Sequence, residues 1–250
     1  MIVTRVFPGH AESVDVDDAH SRDALLDWYR PDTMSSVRIN LISTVSGNAG
    51  GSDGTSHTLS NPVDRKILGV IRELGDVVLV GAQSVRAESY LLPRRAPLAV
   101  LTASGDLTGH GIEADVEPGR LYVLCPASSV DRVIETLAGA TAEIIVVPAT
   151  DGRVSMVDIV TALRVRGLES IVCEGGPLLA AQFIEAGLVD ELCLSTSPTL
   201  GGTDLPVLAP GIAGERPLTL TQLLVDESSG VYARWSFANG PHEVAPLASA

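Results

Sequence analysis

Apolar residues in this chain gather into short runs separated by glycine, proline and acidic turns, and the spacing inside each run predicts its element. Residues 37–43 (VRINLIS) alternate, with apolar side chains at 37, 39 and 41, the period of a strand. Residues 76–80 (DVVLV) are almost wholly apolar, the pattern of a strand covered on both faces. Further strands are predicted over 98–102, 121–125, 143–147 and 170–173, and closing strands over 191–197, 218–225 and 231–237. A DESSG turn at 226–230 joins the last two as a hairpin. Helices fit between the strands. Asn61 and Pro62 open one, with Asn61 as N-cap, Pro62 in the first helical position and Asp64 near the positive end. Ile67, Leu68, Ile71 and Leu74 give it an apolar face, and Gly75 suits its end. Other helices are predicted over 129–137, 155–166 and 177–186, the second opened by Ser155 with Asp158 three residues on. Buried strands alternating with helices make the fold class α/β, with a mostly parallel central sheet flanked by helices and a C-terminal antiparallel hairpin.

Residues 1–36 are polar and acidic, with one amphipathic turn at 24–29 (ALLDWY), and read as an extension to a single domain over 37–238. Residues 239–250 carry two prolines and read as a loose tail. A chain of 250 residues can bury a core that needs no disulfide or structural metal. Its 17 Lys+Arg against 31 Asp+Glu give a net charge of −14, which speaks against nucleic acid or an anionic membrane as partner. Lys66 is the one lysine, so lysine-based covalent chemistry has a single candidate. Cys125, Cys173 and Cys193 lie at or near the ends of apolar runs, where cysteine behaves as a small hydrophobe, and imply a reduced compartment. Residues 1–18 lack the apolar stretch of a signal peptide, and no run approaches the about 18–20 apolar residues of a membrane span. A cytoplasmic protein is the expectation.

Several chemistries are missing from the chain. It has no G-x-S-x-G, H-E-x-x-H or Walker-type glycine loop, and its five histidines are dispersed, so no metal is expected. The H-x-E at 10–12 lacks the P-C-x-x-C half of a zinc deaminase signature. What remains is a set of glycine turns after predicted strands, where α/β sheets bind ligands. Gly81 follows the 76–80 strand, with Ser84 placed to cap the next element or hold a phosphate. Glu174, Gly175, Gly176, Pro177 and Leu178 follow the 170–173 strand; two glycines before a helix-opening proline expose N–H groups at a positive helix end. Gly201-Gly202 alone is a turn signal, and the four glycines at 47–54 suit either a mobile loop over a ligand or a plain surface loop.

Six segments in order resemble one family. They are VRINLIS at 37–43, SNP at 60–62 with Asp64 and Arg65, residues 74–88 through Gly81 and Ser84 to Glu88, EGGPL at 174–178, AGLVDE at 186–191 and PTLGG at 198–202. Together they resemble the reductase domain of the bifunctional deaminase-reductase of riboflavin biosynthesis, a dihydrofolate-reductase-like fold, over residues 37–237; the deaminase half has no counterpart. The resemblance implies an NADPH-dependent reductase of 5-amino-6-(5-phosphoribosylamino)uracil, with hydride delivered to C1′ of the opened ribosylamine, and a homodimer. It implies cofactor contacts from Ser43, Gly81, Ser84, Glu174, Gly175, Gly176, Pro177 and Leu178. It implies substrate contacts from Asn40, Arg72 and Glu88, with Glu88 or Glu174 steadying the iminium or relaying a proton. Phosphates would be met by helix ends and by arginines, of which Arg72, Arg86, Arg94 and Arg95 are candidates. Three positions depart from the common family pattern: Ser46 stands where aspartate is usual, Thr58 where many members have tryptophan, and Asn40 where bifunctional members often have lysine. These leave open a reductase of another substrate such as a pteridine, or a nucleotide-binding protein without catalysis.

Overall fold

The structure, a computed structural model, describes residues 1–88 and 90–238; the expected tail lies outside the described residues. In chain order the elements are β1 (Ile2–Phe7), β2 (Glu12–Asp15), α1 (Ser21–Tyr29), β3 (Ser36–Thr44), α2 (Pro62–Glu73), β4 (Val77–Gly81) and α3 (Ala82–Ala87). There follow β5 (Leu98–Leu101), β6 (Leu121–Cys125), α4 (Val130–Thr136), β7 (Glu143–Val146), β8 (Ala149–Thr150), β9 (Arg153–Val154) and α5 (Met156–Arg164). The chain closes with β10 (Ser170–Cys173), α6 (Pro177–Glu185), β11 (Glu191–Ser197), β12 (Leu218–Asp226) and β13 (Val231–Phe237). The predicted strands and helices of residues 37–237 are present with ends shifted by at most two residues. Ser155 stands at the N-cap of α5, but its side chain makes no capping bond.

Eleven strands form one sheet in the order β2-β1-β12-β13-β11-β3-β10-β4-β5-β6-β7. From β11 to β7 every neighbouring pair is parallel, and the β12–β13 hairpin turns back antiparallel on β11. Two hydrophobic cores lie on opposite faces. One packs α1, α2, α3 and α4 on Val78, Val80, Val100, Val123 and Val172; the other packs α5 and α6 on Val37, Ile39, Leu79 and Ile171. Odd positions of β3 therefore face α5 and α6, and even positions face α1 and α2. The three cysteines are buried free thiols. No helix among the described residues is long and apolar enough to cross a membrane.

Residues 1–36, expected as an extension, pair into the sheet of the domain. β1 pairs antiparallel with β12, so the sheet runs on through the N-terminal segment, and β2 covers the edge. Polar edge strands carry little periodic signal, since of β1 only Val3 is fully buried. α1 buries Leu25, Trp28 and Tyr29 and is fastened from afar. Arg38, buried on β3, donates to the Tyr29 carbonyl at 2.7 Å, and Arg234 of β13 donates to that of Trp28. Glu191 of β11 accepts from both arginines. Two guanidiniums thus meet the negative end of α1.

Candidate active site at the carboxyl ends of the central strands

The chain leaves β3 for β4 across the place that β10 later fills, then returns to lay β11 on the other side of β3. That reversal is the switch point at which open α/β sheets form a crevice. Two glycine turns meet there. Gly81 ends β4 and donates its N–H to the Gly175 carbonyl at 2.8 Å, while the Glu174 N–H bonds back to Leu79 at 2.9 Å. Gly175 has φ +77°, and a Cβ on it would sit 3.2 Å from Leu41; a Cβ on Gly176 would sit 2.8 Å from Ser84 Oγ. The Gly175-Gly176 peptide is cis. Pro177 is the first residue of α6, Leu178 is exposed beside it, and Ser43 is buried at the end of β3 on the face that carries Leu41. The residues expected around a cofactor are thus brought together. α6 is capped by Gly176 without any side-chain bond and has no acid in its first turn; the N-terminus of α3 is equally bare. The donors are backbone N–H groups and the field is positive, a set that fits the pyrophosphate of a dinucleotide.

On the other face lies a cluster of polar side chains. Asn40 and Ile42 of β3 are half-buried there. Beside Asn40, Glu174 continues β10 by one residue. Its carboxylate is almost covered, with the side chain 7% exposed, and is held by Arg72, whose Nε and Nη2 donate to its two oxygens at 2.7 Å each. Tyr90 adds a third donor through its hydroxyl, and the Arg72 guanidinium lies over the Tyr90 ring at 5.2 Å. Burial works against the charge on Arg72, but Glu174 outweighs it and holds the guanidinium above its ordinary range. Burial and the neighbouring carboxylate push the Tyr90 phenol up. A carboxylate beside the glycine turn is thereby accounted for, because its charge is matched by Arg72 from within the protein. Sequence reasoning named Arg72 and Glu174 but missed Tyr90, which has no motif of its own.

Asp64 was expected only as a charge at a helix end, yet it is 8% exposed and lies close enough to Glu174 to feel its charge. Its carboxyl accepts from Ser60 Oγ at 2.7 Å, with the Ser195 hydroxyl of β11 nearby. Burial raises its pKa, and the charge of Glu174 adds to the rise. Glu88, by contrast, is exposed and accepts from Ser56 Oγ at 2.9 Å, at the end of the glycine-rich segment. That segment is tied down. Ala49 and Val207 exchange backbone bonds with Leu205 and Gly47 at 2.8 Å, and Thr203 bonds to Gly50 at 3.1 Å. Ser46 accepts the Gly201 N–H at 2.9 Å, so this departure from the family pattern serves a loop-to-loop contact. Of the arginines proposed for phosphates, Arg86 reaches the Asp106 carbonyl beyond the end of β5, at the edge of the site. Arg94 and Arg95 precede β5 and lie at the opposite edge, with Arg95 paired to Glu73.

Residues 35–229 match the family described as the RibD C-terminal domain. The riboflavin biosynthesis protein RibD of Corynebacterium ammoniagenes is 25% identical over 201 residues, which are 80% of this chain and 52% of that protein. RibD of Escherichia coli K12 is 22% identical over 186 residues, 67% of this chain and 49% of that protein. The chain thus spans about half the length of the curated relatives it matches. Among solved structures, a pyrimidine reductase-like protein of Corynebacterium diphtheriae superposes with a TM-score of 0.74 at 22% identity, covering 87% of this chain and 99% of that one. The riboflavin biosynthesis reductase Rib7 of Saccharomyces cerevisiae gives 0.61 at 15% identity, covering 86% and 98%. The fold is the dihydrofolate-reductase-like one that the sequence implied.

Proposed function

The chain belongs to the RibD C-terminal domain family, and on that premise we propose that it is an NADPH-dependent reductase of 5-amino-6-(5-phosphoribosylamino)uracil. One observation carries the reading. The N-terminus of α6 has a glycine cap without a side-chain bond and no acid in its first turn, where the Gly81 and Gly175-Gly176 turns close on each other beside the Arg72–Glu174 pair. In this reading Gly81, Ser84, Gly175, Gly176, Pro177 and Leu178 hold the cofactor pyrophosphate, with Ser43 behind them. Arg86 is the arginine at this edge that could meet a 2′-phosphate. When bound, NADPH supplies the hydride that C1′ of the opened ribosylamine accepts. Asn40 offers the aminopyrimidine an amide, and the Arg72–Glu174 pair holds a fixed anion near the developing iminium. Glu88 sits at the rim, where Ser56 links it to the glycine-rich loop. Holding donor and acceptor carbons in contact supplies most of the acceleration.

The enzyme is further proposed to act in the cytoplasm as a homodimer. Support for the dimer comes from Leu223, Val225, Val231 and Ala233, which share one face of the terminal hairpin, stay half-buried and belong to neither core. The test is turnover with NADPH and NADH against ribosylaminopyrimidine, carbonyl, imine and pterin substrates. Steady NADPH oxidation with the ribosylaminopyrimidine is expected, with tighter fluorescence titration by NADPH than by NADH. Turnover of a pterin instead would move the substrate, and binding without turnover on any substrate would leave a nucleotide-binding protein.

A further inference from the structure

Asp64 is a buried carboxyl beside Glu174 that no cation grips among the described residues. It stands in the first turn of α2, where the neutral Ser60 hydroxyl donates to it at 2.7 Å and the Ser195 hydroxyl lies nearby. The charged and titratable groups near it are Glu174 from β10, Tyr232 from β13 and the exposed Arg65 of its own helix. Glu174 is differently placed: Arg72 grips both its oxygens and Tyr90 donates a third bond. Both its oxygens are thus taken up by donors of the protein itself. Glu88 is out in solvent. Two neighbouring carboxyl groups are therefore held differently, Glu174 by a guanidinium and a phenol and Asp64 by a neutral hydroxyl in a buried position, a difference in surroundings of the kind that separates an acid from its partner.

We propose that Asp64 is the general acid that opens the ribose ring of the substrate, an inference that rests on the reductase reading above. The Asp64 carboxyl gives its proton to the ring oxygen O4′. The C1′–O4′ bond breaks with its electron pair going to O4′, which becomes a hydroxyl, and the lone pair of the exocyclic nitrogen forms C1′=N. Asp64 is left as a carboxylate facing the iminium, and the hydroxyls of Ser60 and Ser195 can both donate to it. Ring closure runs the same movements backwards, so opening and closing need no cofactor. After reduction, Asp64 takes its next proton from water.

That reversibility supplies the test, since ring opening interconverts the α and β anomers of the phosphoribosylaminopyrimidine. Anomer exchange is followed by NMR with the full chain and no nucleotide present. The wild type is expected to accelerate exchange, Asp64→Asn to reduce the acceleration by about a hundredfold, and Asp64→Glu to restore part of it. The wild-type rate should fall as pH rises past the raised pKa of Asp64, because only the protonated carboxyl acts, and this limb should vanish in Asp64→Asn. Exchange in Asp64→Asn equal to wild type, or a wild-type rate flat with pH, overturns the acid role. NADPH turnover in that same protein would leave the reductase reading standing. Wild-type anomer exchange without NADPH oxidation supports Asp64 as the acid and overturns the reductase reading, while neither exchange nor oxidation overturns both.

Discussion

Two helices of this protein begin at the same edge of the sheet with a proline in their first position, and they are finished in opposite ways. At α2 the end is closed. Asn61 accepts the Asp64 N–H at 2.9 Å, Asp64 adds a carboxyl to the first turn, and the Asn61 amide donates to Asp226 at 2.7 Å. Asp226 in turn accepts from Tyr232 and from the backbone of Ser228 and Gly230 in the hairpin turn. At α6 the end is open, with Gly176 as a cap that has no side chain and no acid following it. The same start signal thus yields a fastened end in one case and a bare one in the other, decided by the residue before the proline, and the proposed function places its anion at the bare end. Against a glycine cap a capping side chain is worth roughly a few tenths of a kcal/mol, and α6 forgoes it where the two glycine turns meet. Local optimisation left unused at such a place is the expected mark of function.

The comparison breaks most sharply at Gly176. A valine there occupies the space an anion needs, while the nearest atom to its Cβ is the movable Ser84 hydroxyl at 2.8 Å, so the fold should survive. NADPH affinity, read by fluorescence titration, is expected to fall at least about tenfold, or about 1.4 kcal/mol. Wild-type affinity in Gly176→Val would make the turn structural and move the cofactor elsewhere. Gly202→Val is not a matched control, since a Cβ at Gly202 would lie 2.3 Å from the Gly50 carbonyl and force the two rim loops apart. The matched control is Asn61→Ala at the closed helix end. Losing the cap should lower unfolding free energy by about 1–2 kcal/mol in urea while NADPH affinity stays within twofold. A large loss of affinity there would mean that the two ends are not separate in function.

How far the sequence disclosed this arrangement depends on the range of the contacts. The central strands were legible because a strand buried on both faces is a continuous apolar run, as in VVLV of β4. The glycine turns were legible because their chemistry is local to five residues. The N-terminal segment was not, because α1 is held by Arg38 and Arg234 through carbonyls that no pattern reveals. The clamp on Glu174 was half legible. Its arginine and carboxylate are 102 positions apart and were proposed separately, as ligands of something else, whereas they bind each other. Asp64 was read correctly as a helix-end charge, but its burial against Ser195 comes from a strand 131 residues later and carries no local signal.

The smallest expected effect sharpens the contrast by making the open end resemble the closed one. Leu178 is 59% exposed in the first turn of α6, so aspartate fits there without disturbing the core. A carboxylate at that position opposes the positive end of the helix and should raise stability by about 0.3–1 kcal/mol at low salt. The same charge would repel a pyrophosphate bound at the helix end. Leu178→Asp is therefore expected to gain stability in urea and to lose NADPH affinity, and both changes should shrink as salt is raised. Leu178→Asn, with the same size and no charge, separates electrostatics from lost apolar contact and should change affinity less. Should Leu178→Asp gain stability and bind NADPH as the wild type does, the open end of α6 is merely an uncapped helix, and the anion sits elsewhere in the crevice.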